Sequence, residues 1–409
     1  MTPQKFKILI SGASIAGPTL AYWLNQYGFQ VTIIEKAPSL RLGGQSIDTS
    51  GPARQIAKWM GIVPQIQALS SHEVGIQWVN KNNQIEAAFP QDHPLSITDE
   101  MEILRGDLVN ILYEHTKQQV TYRFNTQIDQ LEQDDQRATV TFSDGQREQY
   151  DLVIAADGIR SKTRKLIFED ESVFKYLGIC VAYLTIPRAS TDTNWARWYT
   201  ADESRVILLR SDSKGTTRAS ILFLYPQKEF EKLAPQDHKQ LVLAKLSDAG
   251  WEAYRLTEAI DKGEEIYFDG IGQIKAPHWF KGRLGMIGDA AYCPSPITGR
   301  GVTLAMVGAY LLAGELSHHK HYQDAFASYE KLMRPYVESV QYLPPGVPDL
   351  LYPSSPTGVT VVNKLAGLLS SNAVKKVINL FKSSPDQDEK QLKGIELPRY
   401  KLDTIRAGH

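Results

Sequence analysis

The sequence predicts an α/β fold with an inserted antiparallel sheet and C-terminal helices. Two apolar runs near the N-terminus enclose a helical pattern, and two further runs of the same kind follow much later. Such short runs are typical of parallel strands that are buried on both faces. The four runs are residues 6–11, 30–35, 151–156 and 283–288.

The middle and the end of the chain have different patterns. Three segments alternate β-forming with polar side chains, as the strands of an antiparallel sheet do, and they are residues 179–186, 205–210 and 218–225. After residue 300 the pattern is helical. The helical segments are residues 302–318, 322–342 and 359–382, and a proline-rich tract at 344–358 separates the last two.

The composition disfavours several classes of partner. The chain has 45 Lys and Arg against 46 Asp and Glu, so no overall charge attracts nucleic acid or an anionic membrane. Cys180 and Cys293 are too few for a disulfide framework and suit a reducing compartment. No run approaches the roughly 20 apolar residues of a transmembrane helix, and the first apolar run is too short for a signal peptide. We therefore expect a cytoplasmic monomer without nucleic-acid or membrane partners.

The first chemical motif is a glycine-rich loop after the first apolar run. It contains Gly12, Ser14, Ala16 and Gly17, and Glu35 ends the second apolar run. In a dinucleotide-binding βαβ unit the glycines let the backbone approach a pyrophosphate, and the acidic residue accepts ribose hydroxyls. A serine at position 14 departs from the usual glycine; this small side chain either fits the turn or bonds a phosphate oxygen itself. The motif predicts dinucleotide binding.

Two more polar loops follow the later apolar runs. One contains Asp157-Gly158, within residues 156–164, and the other contains Gly288-Asp289, within residues 288–302. An aspartate beside a glycine is, by itself, more often an ordinary turn. Three such loops in one chain, each at the end of an apolar strand, favour a functional site.

In this order and at this spacing, the three loops resemble those of the single-component, class A flavin monooxygenases with the p-hydroxybenzoate hydroxylase fold. The resemblance covers about residues 5–340. It implies a Rossmann-like FAD-binding domain, FAD as the cofactor, NADPH or NADH as the reductant and molecular oxygen as a co-substrate. The cofactor would do most of the chemistry, since reduced flavin takes up oxygen as a hydroperoxide whose distal oxygen passes to the substrate.

The changes of pattern and the resemblance together predict four parts of the chain. They are the first part of the FAD-binding domain at 1–173, an antiparallel substrate domain at 174–272, the last part of the FAD-binding domain at 273–343, and a linker with C-terminal helices at 344–409.

Carried over residue by residue, the resemblance implies that Glu35 holds the adenosine ribose, Arg105 reaches the cofactor and Asp289 contacts the ribityl chain. Asp157 is linked to FAD and NAD(P)H, partly by holding structure. The implied cofactor-binding residues are Gly12, Ser14, Ala16, Gly17, Glu35, Lys36, Arg41, Gln45, Asp48, Arg105, Asp157, Asp289, Pro296, Gly299, Gly301 and Val302. Residues 299–302 would lie against the isoalloxazine, where amides of the following helix stabilise the anionic reduced ring.

Arg41 and Asp48 belong to a loop that the resemblance places near the flavin. There, Arg41 suits the phosphate of the nicotinamide cofactor and Asp48 suits FAD. A solvated surface charge is an equally good interpretation of Arg41.

Within this family, the stretches 103–108, 288–296 and 307–316 are similar to those of the tetracycline-inactivating monooxygenases, the tetracycline destructases. Those enzymes carry an extra C-terminal helix beside the active site, which residues 359–382 are able to supply. Related hydroxylases of other polyketides or of small aromatic compounds share much of these stretches and stay as alternatives.

The substrate is expected between the flavin and the antiparallel sheet, because side chains alternate between the two faces of each strand. The candidates are Tyr183, Arg205, Arg218, Phe223 and Tyr225. The two arginines are able to hold an ionised enol or a carboxylate, and an ordinary place on the sheet is the alternative. Trp195 and Trp198 are candidates for pocket walls or for core packing.

We expect no indispensable Ser-His-Asp set and assign no catalytic side chain, and we predict no metal ligand, since the nine histidines show no metal-binding spacing. Two functions of other classes stay open. A flavin reductase would share the FAD domain without using oxygen productively, and a non-catalytic flavoprotein would bind FAD without substrate-stimulated NAD(P)H oxidation.

Overall fold

The computed structural model describes residues 6–93, 96, 101–168, 171–344, 352–370 and 395–401. Its strands form one six-stranded sheet, one seven-stranded sheet and two small sheets. In chain order the strands are β1 (Lys7–Ser11), β2 (Gln30–Ile34), β3 (Ser46–Asp48), β4 (Gly75–Val79), β5 (Ile85–Pro90), β6 (Glu102–Leu104), β7 (Thr121–Arg123), β8 (Ile128–Gln133), β9 (Ala138–Phe142), β10 (Arg147–Tyr150), β11 (Leu152–Ala155), β12 (Val173–Pro187), β13 (Trp195–Ala201), β14 (Arg205–Ser211), β15 (Thr216–Leu224), β16 (Tyr267–Lys275), β17 (Phe280–Lys281) and β18 (Leu284–Met286).

The helices pack on the two large sheets. In chain order they are α1 (Ala16–Gln26), α2 (Pro52–Met60), α3 (Val63–Ala68), α4 (Arg105–Thr116), α5 (Lys162–Phe168), α6 (Gln227–Phe230), α7 (His238–Leu246), α8 (Ala253–Asp261), α9 (Asp289–Tyr292), α10 (Gly301–His318), α11 (Tyr322–Gln341) and α12 (Pro356–Leu369).

The six-stranded sheet has the order β17-β18-β11-β1-β2-β7 and is parallel except for β17. All four apolar runs seen in the sequence are strands of this sheet, and the predicted α/β fold is confirmed. Strands β1, β11 and β18 are neighbours, so their carboxyl ends lie side by side. The three polar loops therefore meet at one edge of the sheet, where ligands bind in open α/β folds.

Two helices pack over this sheet and complete its core. Helix α1 contributes Leu20 and Leu24, and α10 contributes Leu311 and Leu312, all fully buried. Burying one such side chain contributes about 1.5–3 kcal/mol. This packing fixes the N-termini of both helices beside the loop-bearing edge.

The seven-stranded sheet has the order β16-β12-β15-β14-β13-β4-β5, and its pairs are antiparallel except for the parallel pair β13–β4. This is the inserted antiparallel sheet that the sequence predicts. It differs from the prediction in one respect. Strands β4 and β5 come from residues 75–90, inside the part assigned to the FAD-binding domain, so the sheet draws on two separate stretches of chain.

The two faces of this sheet have different surroundings. On the helix-covered face, Ile207 and Phe223 pack with Val242 of α7 and Leu256 of α8. On the opposite face, which we call the cleft-side face, buried strand residues pack with Tyr352 and with Ile297 from the loop after α9. The cleft-side face is therefore the one that looks toward the three polar loops.

The C-terminal region agrees with the predicted helical segments where it is described. Helices α10 and α11 match 302–318 and 322–342 closely, and α12 covers the first part of 359–382. Helix α12 packs on β5 and β13 through Ala366. Residues 371–382 lie outside the described residues. Within the described residues, every helix is too short or too polar to cross a membrane.

Candidate cofactor and substrate site

The first polar loop is closed by glycines that have no room for a side chain. Gly12 has φ +117°, and a Cβ there would lie 2.4 Å from the carbonyl oxygen of Ala156. A Cβ at Gly17 would lie 2.0 Å from the carbonyl oxygen of Gly12. The loops after β1 and β11 are thus in backbone contact, and α1 begins directly beneath them, as a pyrophosphate site requires.

Glu35 is fixed at the end of β2 beside this loop. Its carboxylate accepts hydrogen bonds from the backbone amides of Ala13 (3.2 Å) and Ala37 (3.0 Å). It also forms an ion pair with Arg41 at 3.5 Å. A cavity of about 360 Å³ opens in the same region, lined by Lys36, Arg41, Asn125, Thr126, Gln127 and Ser143. These polar groups suit the adenosine end of a dinucleotide.

Arg105, the first residue of α4, links the glycine-rich loop to the loop 41–45. Its guanidinium donates to Ser14 Oγ at 3.2 Å, to the Arg41 carbonyl at 2.9 Å and to the Gly43 carbonyl, and its backbone amide donates to the Gln45 carbonyl. These acceptors are all uncharged, so the positive charge is available to an anion. Burial lowers the pKa of Arg105, and the nearby Arg41 lowers it further.

The loop 41–45 can wrap Arg105 this closely because of two glycines. A Cβ at Gly106 would lie 1.7 Å from the carbonyl oxygen of Leu42. Gly44 has φ +130°, and a Cβ there would lie 2.6 Å from Arg105 Nε. The loop and the start of α4 therefore form one unit around the guanidinium.

Asp157 organises the second loop. Its carboxylate accepts hydrogen bonds from the backbone amide of Thr163 at 3.1 Å and from the hydroxyl of Ser161, at the start of α5. The Thr163 hydroxyl then donates to Ser11 Oγ at the end of β1. The structure thus places Asp157 at the common edge, where it holds the loop in shape, as the resemblance implies in part.

Asp289 begins the short helix α9 in the third loop. Its side chain is solvent accessible but stands in a recess of the protein, and desolvation raises the pKa of its carboxyl group. A Cβ built at Gly301 would lie 4.0 Å from Asp289 Oδ1, so this carboxylate faces the start of α10. Pro296 and Gly299 are exposed in the turn between them. The arrangement offers a carboxylate and helix amides to one ligand.

Arg164 is a residue whose importance the sequence did not reveal. Its guanidinium is buried and donates to the carbonyls of Ala290 (3.0 Å) and Ile159 (2.9 Å), joining the second loop to the third. Desolvation lowers the pKa of Arg164. In the sequence, the one indication of this role was the position of Arg164 at the end of the stretch that begins with Asp157.

Taken together, the residues at this edge fit a flavin dinucleotide. The glycine contacts leave a cradle for phosphate, Arg105 offers a guanidinium whose described hydrogen-bond acceptors are uncharged, and Glu35 and Asp289 offer carboxylates to sugar hydroxyls. Lys36 and Arg41 line the cavity near Glu35, and Val302 is buried in the first turn of α10. Asp48 lies on β3, directly opposite Glu102 of β6.

The cleft-side face presents aromatic rings to this edge. Tyr183 of β12 and Tyr267 of β16 stack with ring centroids 6.2 Å apart. Desolvation raises the pKa of both hydroxyls, that of Tyr267 to about 12. Arg160, from the second loop, forms an ion pair with Asp269, to which the Tyr267 hydroxyl donates at 3.2 Å. The sequence did not single out Tyr267 or Asp269, because their strand follows a long helical insertion.

Three of the predicted substrate residues are not on this face, and the prediction is corrected for them. Phe223 is fully buried on the helix-covered face, and Tyr225 contacts its ring edge-on at 6.1 Å. Arg205 points the same way and is bound by the Lys245 carbonyl and the Asp248 carboxylate. The alternation of side chains along β14 and β15 puts them behind the sheet.

Arg218 and Trp198 do lie on the cleft-side face. Arg218 donates to Thr185 Oγ1 at 2.6 Å and to Asp212 at 2.9 Å, so its charge is already compensated. Trp198 packs against Trp78, with ring centroids 5.5 Å apart. Beyond them, a cavity of about 730 Å³ lies between the β13–β14 hairpin, the loop 248–250 and α12.

Comparisons with known proteins identify the family. A family model described as an FAD binding domain matches residues 5–341. A flavin-dependent monooxygenase from Legionella longbeachae is 35% identical over 97% of this chain and 99% of its own. The crystal structures of tetracycline destructases Tet(51) and Tet(55) are 31% and 33% identical, cover 98% of this chain and 100% of their own, and give TM-scores of 0.78 and 0.79.

More distant structures share only the fold. One of them, HpxO from Klebsiella pneumoniae complexed with FAD and uric acid, is 17% identical with a TM-score of 0.75 and covers 96% of this chain and 98% of its own. With the family model spanning most of the chain and close relatives matching it end to end, this chain belongs to the FAD-binding class A flavin-dependent monooxygenases.

Proposed function

We propose that this enzyme uses NAD(P)H and molecular oxygen to insert one oxygen atom into a bulky polycyclic or aromatic compound, with tetracyclines as the first candidates. The observation that carries the proposal is the stacked aromatic pair Tyr183–Tyr267, beside which the Arg160–Asp269 ion pair joins the second loop to the sheet. Planar rings favour stacked partners. Similarity to two tetracycline destructases over nearly the whole chain supports the same substrate class.

FAD, when bound, supplies the redox chemistry that activates oxygen. The protein's own part in this proposal is to bind and orient it. Arg105 would hold the pyrophosphate, Glu35 the adenosine ribose and Asp289 the ribityl hydroxyls. The N-terminus of α10 directs its amides and its positive dipole end at the cofactor, which favours negative charge there.

The cleft-side face also excludes water. Ile179, Val181, Ile271 and Tyr352 form a buried apolar cluster with Ile297 packed beside it. An apolar wall next to the reacting groups suppresses the loss of activated oxygen as hydrogen peroxide. Tyr183 stands at the edge of this wall, where its hydroxyl is able to orient an enol or phenol of the substrate.

For the reductant, we propose that Arg41 and Lys36 contribute positive charge near the adenosine end of the cleft. Arg41 is more than half exposed and pairs with Glu35 at 3.5 Å, so part of its charge is already compensated. This geometry favours a supporting electrostatic role over a dedicated phosphate clamp. Substrate oxygenation therefore tests the proposal more directly than NADPH preference.

The test is oxygen consumption by the purified holoenzyme with NADPH or NADH, with and without a tetracycline, followed by mass spectrometry of the product. Tetracycline-stimulated uptake and a product heavier by one oxygen atom are expected. If other aromatic or polyketide compounds stimulate oxygen consumption and tetracyclines do not, those compounds are the substrate class instead. NADPH oxidation without productive oxygen use would support a flavin reductase instead, and FAD binding without NADPH oxidation a non-catalytic flavoprotein.

A further inference from the structure

The β14–β15 hairpin of the seven-stranded sheet reaches across to the segment that carries Arg105. Arg210 of β14 contacts Glu102 of β6, with 2.6 Å between Nη2 and Oε1. Lys214, in the hairpin turn, donates to Asp107 of α4 at 2.6 Å. These two contacts lie on either side of Arg105 in the sequence, so one hairpin holds the segment from both ends.

The contact at Arg210 is buried and has an excess of acid. Arg210 also forms a two-pronged pair with Glu73, with both donor–acceptor distances at 2.9 Å. Glu102 is fully buried, and Asp48 lies opposite it on β3. Three carboxyl groups therefore surround one guanidinium. Burial and the neighbouring negative charges disfavour ionisation of all three carboxyl groups together.

The pKa of Glu102 is raised in this cluster. Its pKa is raised to about 8, mainly by desolvation. The charges of Glu73 and Asp48 also raise the pKa, and the charge of Arg210 lowers it. Below that pKa, Glu102 is neutral and the cluster holds together. Above it, another buried negative charge appears beside Glu73 and Asp48, and repulsion between Glu102 and Asp48 acts across the β3–β6 pair.

Strand β6 is directly connected to the groups around Arg105. In the β3–β6 pair, Leu104 is opposite Ser46, and the Arg105 amide then donates to the Gln45 carbonyl at 3.0 Å. A shift of β6 therefore moves both Arg105 and the loop 41–45 that encloses its guanidinium. The partly exposed Lys214–Asp107 pair adds little energy to this arrangement.

We propose that Arg210 and Glu102 are positioning residues, through which the substrate-side sheet holds Arg105 and the loop 41–45 in the geometry that binds FAD. The inference rests on the proposed cofactor role of Arg105. It adds a requirement that no family motif expresses: Glu102 must be neutral for tight cofactor binding. Cofactor affinity is therefore high below the pKa of Glu102 and falls as the pH rises through it.

The experiment measures FAD release from the holoenzyme by flavin fluorescence, across a pH series that spans a pKa of about 8. For the wild type, the FAD dissociation constant is expected to rise by up to about tenfold per pH unit above the midpoint. Glu102→Gln mimics the neutral acid and is expected to abolish this rise. Arg210→Met is expected to weaken FAD binding at every pH.

A matched control comes from the other side of the sheet, where Glu252→Gln disturbs a buried ion pair with Arg197. It is expected to lower stability while leaving the pH dependence of FAD release as in the wild type. A wild-type dissociation constant that does not change with pH, or a Glu102→Gln variant that keeps the wild-type profile, would overturn the positioning role.

The variant Arg105→Ala distinguishes the positioning role of Glu102 and Arg210 from the proposed cofactor role of Arg105. If Arg105→Ala weakens FAD binding but Glu102→Gln does not alter the pH profile, only the positioning role of Glu102 fails. If Arg105→Ala binds FAD as tightly as the wild type, the proposed cofactor role of Arg105 fails and the positioning role with it.

Discussion

Two buried ionic clusters lie on opposite faces of the seven-stranded sheet, and they differ in charge balance. On the helix-covered face, Asp192 and Glu252 meet Arg197 and Arg255, two acids with two bases. On the cleft-side face, Arg210 meets Glu73 and Glu102 with Asp48 beside them. The first cluster belongs to one domain, whereas the second joins the sheet to the cofactor-binding part.

The balance determines how each cluster responds to protons. Desolvation would raise the pKa of Asp192, but hydrogen bonds from Arg255, the Ala189 amide and Thr217 bring it below its usual value. Asp192 is therefore charged throughout the neutral range. Glu102 has too few partners to offset its desolvation, and its pKa is raised to about 8. A cluster with equal numbers of acidic and basic groups stabilises the fold at any ordinary pH. A cluster with excess acid changes its charge near neutral pH, and this change can alter a neighbouring binding site.

The largest expected effect comes from breaking the balanced cluster. Asp192→Ala leaves Arg197 and Arg255 with only Glu252, and removing one partner of a buried pair costs about 3–5 kcal/mol. The free energy of unfolding, measured by urea titration, is expected to fall by that amount. Glu132→Ala, which breaks an exposed pair with Arg147, is the control and is expected to change it by less than about 1 kcal/mol. Equal losses in the two variants would contradict the distinction.

A middle-sized effect comes from balancing the second cluster. Glu73→Gln removes a negative charge that raises the pKa of Glu102, so ionised Glu102 is better tolerated beside Arg210. The pH-dependent loss of FAD affinity is expected to shrink to about threefold or less per pH unit. Flavin fluorescence over the same pH series measures it. A steeper profile than that of the wild type would show that charge excess is not the cause.

The smallest expected effect compares single hydroxyl groups on the two faces. Tyr183→Phe removes a hydroxyl from the cleft-side face, and a hydrogen bond of this kind is worth about 0.5–1.5 kcal/mol. The KM for a tetracycline is expected to rise about two- to tenfold with an unchanged unfolding midpoint. Tyr225→Phe, behind the sheet, is expected to leave KM unchanged, and a rise in that variant instead would reverse the assignment of faces.

The sequence predicted the polar loops at the strand ends better than it predicted the faces of the sheet. The loops at Gly12, Asp157 and Asp289 were predictable because each directly follows a short apolar strand, and their meeting at one edge is a consequence of parallel pairing. The face of each sheet residue was not predictable. Which side of β15 holds Phe223 depends on where α7 and α8 pack, and that is decided by residues far along the chain.

The acidic cluster was missed for a related reason. Its members come from β3, the segment before β4, β6 and β14, and no local pattern connects residues so far apart. One signal was present. Glu102 lies in the apolar stretch Met-Glu-Ile-Leu immediately before Arg105, and a carboxylate in a buried strand requires a partner.

The parallel pairing of β13 with β4 has a consequence for exchanging parts between related enzymes. Residues 174–272 are contiguous in the sequence and are the obvious segment to exchange. Strands β4 and β5 lie outside this segment, so the recipient enzyme would supply its own versions of them. In this protein β13 pairs with β4 in parallel, from Trp195 opposite Gly75 to Tyr199 opposite Val79. A transplanted β13 would have to form the same pairing with a strand of different sequence. Without that pairing, β13 would be an unpaired edge strand, which promotes aggregation. The seven-stranded sheet is thus encoded by two separate pieces of the gene rather than one.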